Sequence, residues 1–508
     1  MSTGPVLIVG AGPTGMTAAI ELRRAGVPVR IIDKSDHMAR WSQALVVQAR
    51  TLEQFQRLGI AEEAVRRGRK IRGGRLFSEG KEIAHLDLSR LATTYPYALF
   101  LPQSETEALL NERMETLGVR TERRVELVGL QEDGEAVMAR LRHPDGQEEE
   151  VHSPWLLGCD GAHSAVREKM HIPFEGTAIA LRFILGDLVV EGPDAPWEEL
   201  AVHFHHGDLV FLARLTDRIT RVIVATHGEE EEPGDRTLRP DDFQRAVDRC
   251  GVRVKVLEGE WMTPFSVNDR QAKHYRAGRV FLAGDAAHIH SPVGGQGMNT
   301  GIQDAANLAW KLAAVGRGAD PGLLDSYEEE RGEVGRHLLR FTERVLRVGT
   351  SSNRLIEGVR DALIPLLTQL KSVQKEAAGF VSETAIHYRS SSVVHDHGGD
   401  GELRAGDRFP DFCELGSEGR GLLADWTDPV HLVFVANGSE TQAQELQSGL
   451  RHARVRLLRS AALDNEGRRL LGAEEKLVIV RPDGYVGFRG PLRPHEDWGG
   501  YVQQDALV

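Results

Sequence analysis

The residues best suited to chemistry lie in a glycine-rich segment that runs from Gly284-Asp285 to Asp304. The apolar run 279–283 predicts a buried strand before Asp285, and residues 302–312 have the apolar spacing of a helix. A strand would therefore deliver a carboxylate, and a helix would begin just after the glycines. Glycine lets a backbone approach a ligand closely, and a helix N-terminus offers unpaired N–H groups with partial positive charge. The segment is typical of a site for a cofactor that gains negative charge.

A second segment has the spacing of a dinucleotide-binding turn. Residues 5–9 predict a strand, 16–24 a helix, and 29–32 a second strand that ends at Asp33. Asp33 would accept hydrogen bonds from ribose hydroxyls, and Lys34 beside it is predicted to contact the same cofactor. The glycines permit a tight turn, a close pyrophosphate and close helix packing. The predicted cofactor contacts of this turn are Gly10, Gly12, Pro13, Thr14 and Gly15.

A third segment, Asp160-Gly161 with Arg167 after it, follows another apolar run. Alone, this pattern could simply be a strand that turns into a helix. The three segments together, and their order, resemble the single-component FAD-dependent aromatic hydroxylases, in the branch of the phenol and aromatic polyketide hydroxylases. In that family the third motif touches both FAD and the nicotinamide cofactor, so the resemblance assigns Asp160 and Arg167 to cofactor binding.

The resemblance implies a cycle in which NADPH, or NADH in its place, reduces FAD. Oxygen then adds to the reduced flavin, and the hydroperoxide hydroxylates a small aromatic substrate. Protein side chains cannot activate oxygen, so the cofactor must do so. The resemblance places the flavin and its reacting edge beside Asp285, Pro292, Gly295, Gly297, Met298 and Asn299.

Pro292 and Gly295 are predicted to act at the reacting edge, although Pro292 could instead fix the turn. Gln43 stands where many relatives carry arginine, so a hydrogen-bonding group is kept and a charge is lost. Arg50 could reach FAD or cap a helix, and Gln103 matches a glutamine that touches the flavin's phosphate and ribityl region.

A base would help because a phenol is a better nucleophile when it is deprotonated. The candidates are His203, His205 and His206 in one predicted strand, where alternation places the first two on one face. His205 is the predicted catalytic residue, and solvated strand histidines are the alternative. We predict no metal site, since His395 and His397 offer only two ligands in a predicted linker.

Composition narrows the class of protein. A net charge of −13 argues against a nucleic-acid or anionic-membrane partner, and no apolar run is long enough to span a bilayer. The three cysteines are far apart and lack metal spacing, which favours a reducing, cytoplasmic setting. We expect a monomer or a homodimer.

The 508 residues are too many for one core. Read with the resemblance, the fold class is α/β, with a Rossmann-like FAD-binding domain of the p-hydroxybenzoate hydroxylase type. An inserted antiparallel sheet would bind the substrate, and a thioredoxin-like domain would follow without a Cys-x-x-Cys pair. The predicted bounds are 1–73, 99–178 and 268–345 for the FAD domain, 74–98 and 179–267 for the sheet, 346–400 for helices and a linker, and 401–508 for the last domain.

Three alternatives remain open. A Baeyer–Villiger oxygenation of a polyketide would use the same cofactor, and an FAD-binding regulator would keep the motifs without turnover. A flavin-dependent halogenase is a poorer match, because the chain has no Trp-x-Trp-x-x-Pro segment. Since the chain is shorter than many simple-phenol hydroxylases of this branch, a larger polycyclic substrate is favoured.

Overall fold

The computed structural model describes residues 4–38, 44–179, 181–196, 198–227, 238–291, 294–351, 353–411, 421–423, 425–492, 498, 500 and 501. Within them the chain is a mixed α/β protein built from stacked sheets and helices. Two predicted cofactor contacts, Gln43 and Pro292, lie outside the described residues.

A mostly parallel sheet, here called the core sheet, confirms the predicted nucleotide-binding architecture. Its strands are short apolar runs, and Val6, Leu7 and Ile8 have no exposed surface. Parallel strands are covered on both faces, so a continuous apolar run suits them better than alternation. One edge strand, Arg276–Ala277, pairs with its neighbour in the antiparallel direction. In spatial order the sheet contains Arg276–Ala277, Val280–Leu282, Leu156–Gly158, Val6–Val9, Val29–Asp33 and Thr121–Arg123.

Two helices bring the first and last glycine segments together. Pro13–Arg24 packs against Gly297–Gly316, which we call the flavin helix. A Cβ atom on Gly301 would lie 2.4 Å from Oγ1 of Thr14, so only glycine permits this approach. The two segments, almost three hundred residues apart in the chain, therefore share one cleft.

A second sheet, the roof sheet, confirms the predicted inserted antiparallel sheet. It is antiparallel except where Leu200–His205 pairs in parallel with Gly73–Ser78. Helix Pro240–Arg249 covers one face, which we call the outer face. In order the sheet contains Lys255–Phe265, Arg182–Glu191, Ile219–Thr226, Asp208–Arg214, Leu200–His205, Gly73–Ser78 and Lys81–Asp87.

Smaller elements complete the frame around the cleft. Three small sheets join Glu126–Glu132 with Val137–Arg142 and Glu148–Ser153, Phe174–Ala178 with Asn268–Ala272 and His288–Ile289, and Val46–Val47 with Ala98–Phe100 and Arg69–Ile71. The other helices before residue 400 are Ala49–Leu58, Ala61–Arg67, Gln103–Thr116, Ala165–Lys169, Ser326–Gly349, Arg354–Leu367 and Lys371–Val381, with short 3₁₀ turns at Gly284–Ala286 and Pro321–Leu324.

The C-terminal part forms its own mixed sheet. The predicted linker contributes a strand to it, because His395–Asp396 pairs with Phe488 and Arg489. The sheet contains, in order, His395–Asp396, Val486–Pro491, Lys476–Val480, His431–Ala436 and Ala453–Leu458, with helices Glu440–Gly449 and Asn465–Leu471 and a 3₁₀ turn at Ser460–Ala462. The thioredoxin-like description and the domain bounds stay predictions.

A buried ionic cluster fastens this C-terminal sheet to the flavin helix. Arg481 donates two hydrogen bonds to Glu330, at 2.6 and 2.9 Å, and Lys311 of the flavin helix donates a third at 2.9 Å. All three side chains have no exposed surface. Removing one partner of such a cluster leaves a buried charge unpaired, which costs about 3–5 kcal/mol. No helix of the described chain is both long and apolar enough to cross a membrane.

Candidate flavin site

The N-terminal glycine turn has the shape that a bound pyrophosphate requires. Gly10 has a φ of +101°, and a Cβ there would lie 2.2 Å from the carbonyl oxygen of Cys159. A Cβ on Gly15 would lie 1.9 Å from the carbonyl oxygen of Gly10. Gly12 differs, because a Cβ there would meet no atom within 4 Å. The turn is thus packed tightly from behind and open in front of Gly12, where the helix begins without a side-chain cap.

Asp33 lies at the end of its strand, beside this open space. Its carboxylate accepts hydrogen bonds from the backbone N–H groups of Ala11 and Ser35, both at 2.7 Å. These bonds fix the carboxylate next to the glycine turn, where an adenosine ribose would extend from the pyrophosphate. Lys34 is exposed directly after it.

Asp285 lies in the other glycine segment. Its side chain is exposed, while Gly284 and Ala286 on either side are buried. Nearby protein atoms desolvate this carboxylate in part, which raises the pKa of Asp285. Gly284 has a φ of +62°, and a Cβ there would lie 2.5 Å from Oγ1 of Thr14. Thr14 therefore packs against the second glycine segment, and Asp285 is left free to face a ligand.

The third motif supports the second of these segments. Asp160 accepts hydrogen bonds from Oγ of Ser164, at 2.6 Å, and from the backbone of Val166, at 3.1 Å. Burial raises the pKa of Asp160. Arg167 donates to the carbonyl oxygens of Ala286, at 2.9 Å, and Ala162, at 2.8 Å. Arg167 thus supports the loop that carries Asp285.

The loop before the flavin helix is held by Asn299. Its side-chain amide donates to the carbonyl oxygens of Val46, at 2.8 Å, and Gly295, at 2.7 Å, and its oxygen accepts from the backbone of Gln48 at 2.8 Å. Gln48 also donates to the carbonyl oxygen of Gly294 at 2.8 Å.

These bonds keep the loop open at its outer side. Gly295 has a φ of +63°. Gly295, Gly297 and Met298 are all only partly buried, so their backbone groups are accessible. Gln296 precedes the helix and provides no side-chain cap, so the first N–H groups of the flavin helix are available to an anionic ring.

Asp304 is the hub beneath the cleft, and the sequence assigned it no role. Its carboxylate accepts from the backbone of Gly284 at 2.9 Å, from Nε2 of His288 at 2.7 Å and from Nε of Arg331 at 2.6 Å. Burial acts to raise its pKa, but Arg331 and His288 lower it to about 2. Asp304 follows Gly301 by three residues, so both lie on the same face of the flavin helix. This spacing was the available signal for Asp304 in the sequence.

Two predicted contacts have other partners. Arg50 is buried, donates to Glu53 at 2.7 Å and to the carbonyl oxygen of Asp483, and lies 4.8 Å from the ring centre of Tyr485. The FAD contact of Arg50 stays a prediction that this geometry does not favour. Gln103 begins its helix, bonds back to Ala44 and donates to Glu107 at 2.9 Å.

The roof sheet presents two different faces. The inner face carries apolar side chains that pack with Val46 and Phe100 near the flavin loop. His203 lies on the outer face, stacked on Phe77 with ring centres 4.5 Å apart, and burial lowers its pKa to about 4. His205 shares that face, with Nδ1 2.8 Å from Glu79. Its catalytic role stays a prediction, because its face is opposite to the one near the flavin loop.

Comparison with known proteins agrees with this geometry. Residues 3–342 match the family described as FAD binding domain. The chain is 36% identical to 6-methylpretetramide 4-monooxygenase from Streptomyces rimosus, over 96% of this chain and 91% of the relative. It is 33% identical to pentachlorophenol 4-monooxygenase from Sphingobium chlorophenolicum, over 97% and 90%. The solved structure of OxyS, an anhydrotetracycline hydroxylase from Streptomyces rimosus, matches with a TM-score of 0.79 and 31% identity, covering 98% of each chain.

The chain therefore belongs to the FAD-binding-domain family. It is an FAD-dependent aromatic monooxygenase that acts on a small aromatic substrate with O₂ and takes its electrons from NAD(P)H. When bound, FAD supplies the electron transfer and oxygen chemistry that side chains cannot. The open space at Gly12 and the exposed Asp285 fit a dinucleotide, and the uncapped flavin helix fits a ring that becomes anionic.

Proposed function

We propose that this monooxygenase hydroxylates a fused-ring phenolic compound of the polyketide type, with NADPH as the preferred reductant. Two relatives, a 6-methylpretetramide monooxygenase and an anhydrotetracycline hydroxylase, support a polycyclic substrate. The competing substrate class is that of single-ring phenols, and among the relatives it is represented by the pentachlorophenol monooxygenase.

The observation that carries the proposal is the inner face of the roof sheet. Most of its side chains are apolar, and several of them are only partly buried, so they form a surface that a flat apolar ligand can cover. Phe211 belongs to both apolar clusters of this face, and one of these clusters includes Val46. The partly buried members are Leu76, Val202, Phe211, Ile223 and Phe265.

Val46 connects this surface to the flavin loop. A Cβ on Gly295 would lie 2.9 Å from Cβ of Val46, so the loop and the apolar surface are in contact. A substrate held on the inner face would therefore meet the cofactor beside Gly295. An extended apolar surface of this kind stabilises several fused rings better than one ring, at about 25 cal/mol per Å² of apolar area removed from water.

The chain's own residues would perform three tasks. The inner face would hold the aromatic rings and exclude water from the reacting carbon. Backbone groups at Gly295 and Met298 would orient the flavin, and the N-terminus of the flavin helix would stabilise negative charge on it. Asp304 would keep both glycine segments in register through Gly284 and Arg331.

A matched pair of phenylalanines tests the proposal. Phe211 and Phe77 are both partly buried in the roof sheet, but Phe77 lies on the outer face against His203. Losing a buried phenylalanine contact costs about 1.5–3 kcal/mol, so Phe211→Ala should lower kcat/KM for a tetracyclic phenol about 10–100-fold. Phe77→Ala should change it by less than about 3-fold, since that side chain would not touch the substrate.

The assay is steady-state NADPH oxidation with product analysis, run with tetracyclic and single-ring phenols. Equal losses in the two variants would contradict the placement of the substrate. A higher kcat/KM for single-ring phenols would contradict the polycyclic class, and ring expansion in the product would show Baeyer–Villiger oxygenation.

We also propose a cytoplasmic monomer or homodimer. The described cysteines, Cys159 and Cys250, are free and buried, which fits a reducing compartment. Helix Arg354–Leu367 exposes Val359, Leu363 and Leu366, an apolar stripe that a second copy could cover. Sedimentation analysis of the holoprotein decides between the two states.

A further inference from the structure

The outer rim of the roof sheet gathers a set of potential metal ligands that the oxygenation chemistry does not use. Glu79, His205 and His206 each offer one ligand atom, and these atoms lie within 4.8 Å of one another. We propose that they form, with Glu357, a binding site for a divalent transition-metal ion of the Zn²⁺ class. This inference is independent of the substrate proposed above.

The backbone brings the first three ligands together. Ser78 and Phe204 are paired in parallel strands, so the two hairpin turns that follow them lie side by side. The backbone N–H of Glu79 donates to the carbonyl oxygen of Phe204 at 3.2 Å and joins the turns directly. Ligands at the ends of paired strands are held more rigidly than ligands on a long loop.

The turn geometry is specific. Glu79 and His206 have φ values of 50° and 43°, and the glycines after them also have positive φ. Two consecutive positive φ values are required by the two-residue turn that matches strand twist. His206 is therefore a residue other than glycine in a left-handed backbone conformation. Its ring lies next to that of His205, with ring centres 4.4 Å apart.

A second, independent observation comes from the neighbouring helix Arg354–Leu367. Glu357 is buried, with 8% of its surface exposed, and its Oε1 accepts no hydrogen bond within the described residues. That oxygen lies 3.4 Å from Nδ1 of His206. A buried carboxylate oxygen without a donor is costly, so it needs a cation or a proton.

The distances suit one ion. His205 Nδ1 lies 2.8 Å from a carboxylate oxygen of Glu79, and the Glu357–His206 contact is 3.4 Å. Bond lengths of about 2.0–2.1 Å around tetrahedral zinc place neighbouring ligand atoms about 3.4 Å apart. Glu79 and His206 are exposed, so their side chains have room to rotate toward this spacing. Two imidazoles and two carboxylates favour Zn²⁺ over Mg²⁺ or Ca²⁺, which prefer oxygen ligands alone.

The consequence is a cross-link between the roof sheet and this helix. Ser78 already accepts a hydrogen bond from Arg360 at 2.6 Å, one turn after Glu357. Arg360 also donates to the carbonyl oxygen of Gly349 at 2.9 Å. A bound ion would add a stronger fastening at the same junction, and it would stabilise the folded state over the unfolded one.

The test is equilibrium dialysis of untagged, FAD-loaded protein against Zn²⁺ after chelator treatment, with metal quantified per chain. We expect one site with a Kd of about 10 μM or tighter. His205→Ala and His206→Ala should each weaken binding at least about 100-fold, and Glu357→Gln about 10-fold. His152→Ala is the matched control, because His152 forms an exposed pair with Glu150 at 3.3 Å but lacks a second histidine, and it should bind as wild type does.

The flavin spectrum of each variant confirms that it has folded, and Zn-edge anomalous scattering from crystals of the wild type locates the ion without any variant. A peak between His205 and His206 supports the site. Absence of saturable binding, unchanged binding in both histidine variants, or a peak elsewhere overturns it.

Discussion

Two glycines in the N-terminal turn should respond in opposite ways to the same substitution. Gly12 has φ −80° and ψ −176°, which any residue adopts, and a Cβ there meets nothing within 4 Å. Gly12→Ala should therefore change the free energy of unfolding of the apoprotein by less than about 1 kcal/mol, because the entropic gain of alanine offsets its poorer N-cap preference. At Gly15 the new Cβ would lie 1.9 Å from the carbonyl oxygen of Gly10. Overpacking against backbone costs about 1–3 kcal/mol or more, which exceeds the roughly 1 kcal/mol that alanine gains in a helix.

For FAD binding, Gly12 is the glycine whose substitution should matter. The added methyl group of Gly12→Ala occupies the space for the pyrophosphate, and losing charged hydrogen bonds costs about 1.5–3 kcal/mol, or about 10–100-fold in Kd. The assays are urea unfolding of the stripped proteins and FAD titration by fluorescence quenching. The reasoning is refuted if Gly12→Ala binds FAD within about 3-fold of wild type, or if its apoprotein is less stable than that of Gly15→Ala.

Three further predictions concern carboxylates. Asp285→Ala should lose FAD on dialysis without loss of apoprotein stability, because the side chain is exposed; a variant that stays yellow contradicts its role. Asp304→Asn should lower the free energy of unfolding by about 3–5 kcal/mol by unpairing Arg331. In wild type, the lowered pKa of Asp304 contributes about 2 kcal/mol of stability, which is present above about pH 4 and should fade as pH falls toward 2. Urea unfolding from pH 7 to pH 2 measures both effects, and a loss under about 1 kcal/mol in the variant contradicts the role of Asp304. Burial raises the pKa of Glu383 to about 8. The contribution of Glu383 to stability should therefore be complete below about pH 4 and lost as pH rises through 8, at up to about 1.4 kcal/mol per pH unit. Glu383→Gln should flatten this slope in calorimetry, and an unchanged slope contradicts the prediction.

Local patterns predicted the elements well. The apolar run at 5–9 forms the strand Val6–Val9, and the predicted helix 16–24 forms as Pro13–Arg24. The strand predicted to hold the histidine candidates likewise forms as Leu200–His205. These successes share a cause: the signal for each element lies within its own residues.

Local sequence patterns did not predict contacts between segments that are distant in the chain. Arg50 is 433 residues from Asp483, yet their contact directs its side chain to the C-terminal sheet. The outer position of His205 depends on which face of the roof sheet meets the flavin loop, and alternation gives two faces without orienting them. The ligand set at Glu79 and His206 likewise required the pairing of two hairpins.

As an FAD-dependent aromatic monooxygenase, this chain inserts one oxygen atom from O₂ into an aromatic substrate with electrons from NAD(P)H. The most direct test supplies FAD-loaded protein with NADPH and a tetracyclic phenol under ¹⁸O₂, and records the product by mass spectrometry. We expect a product that carries one ¹⁸O atom, with flavin reduction accelerated by the substrate. NADPH oxidation that yields only hydrogen peroxide with every phenol, or a flavin that NADPH does not reduce, would contradict it and favour a non-turnover FAD-binding protein.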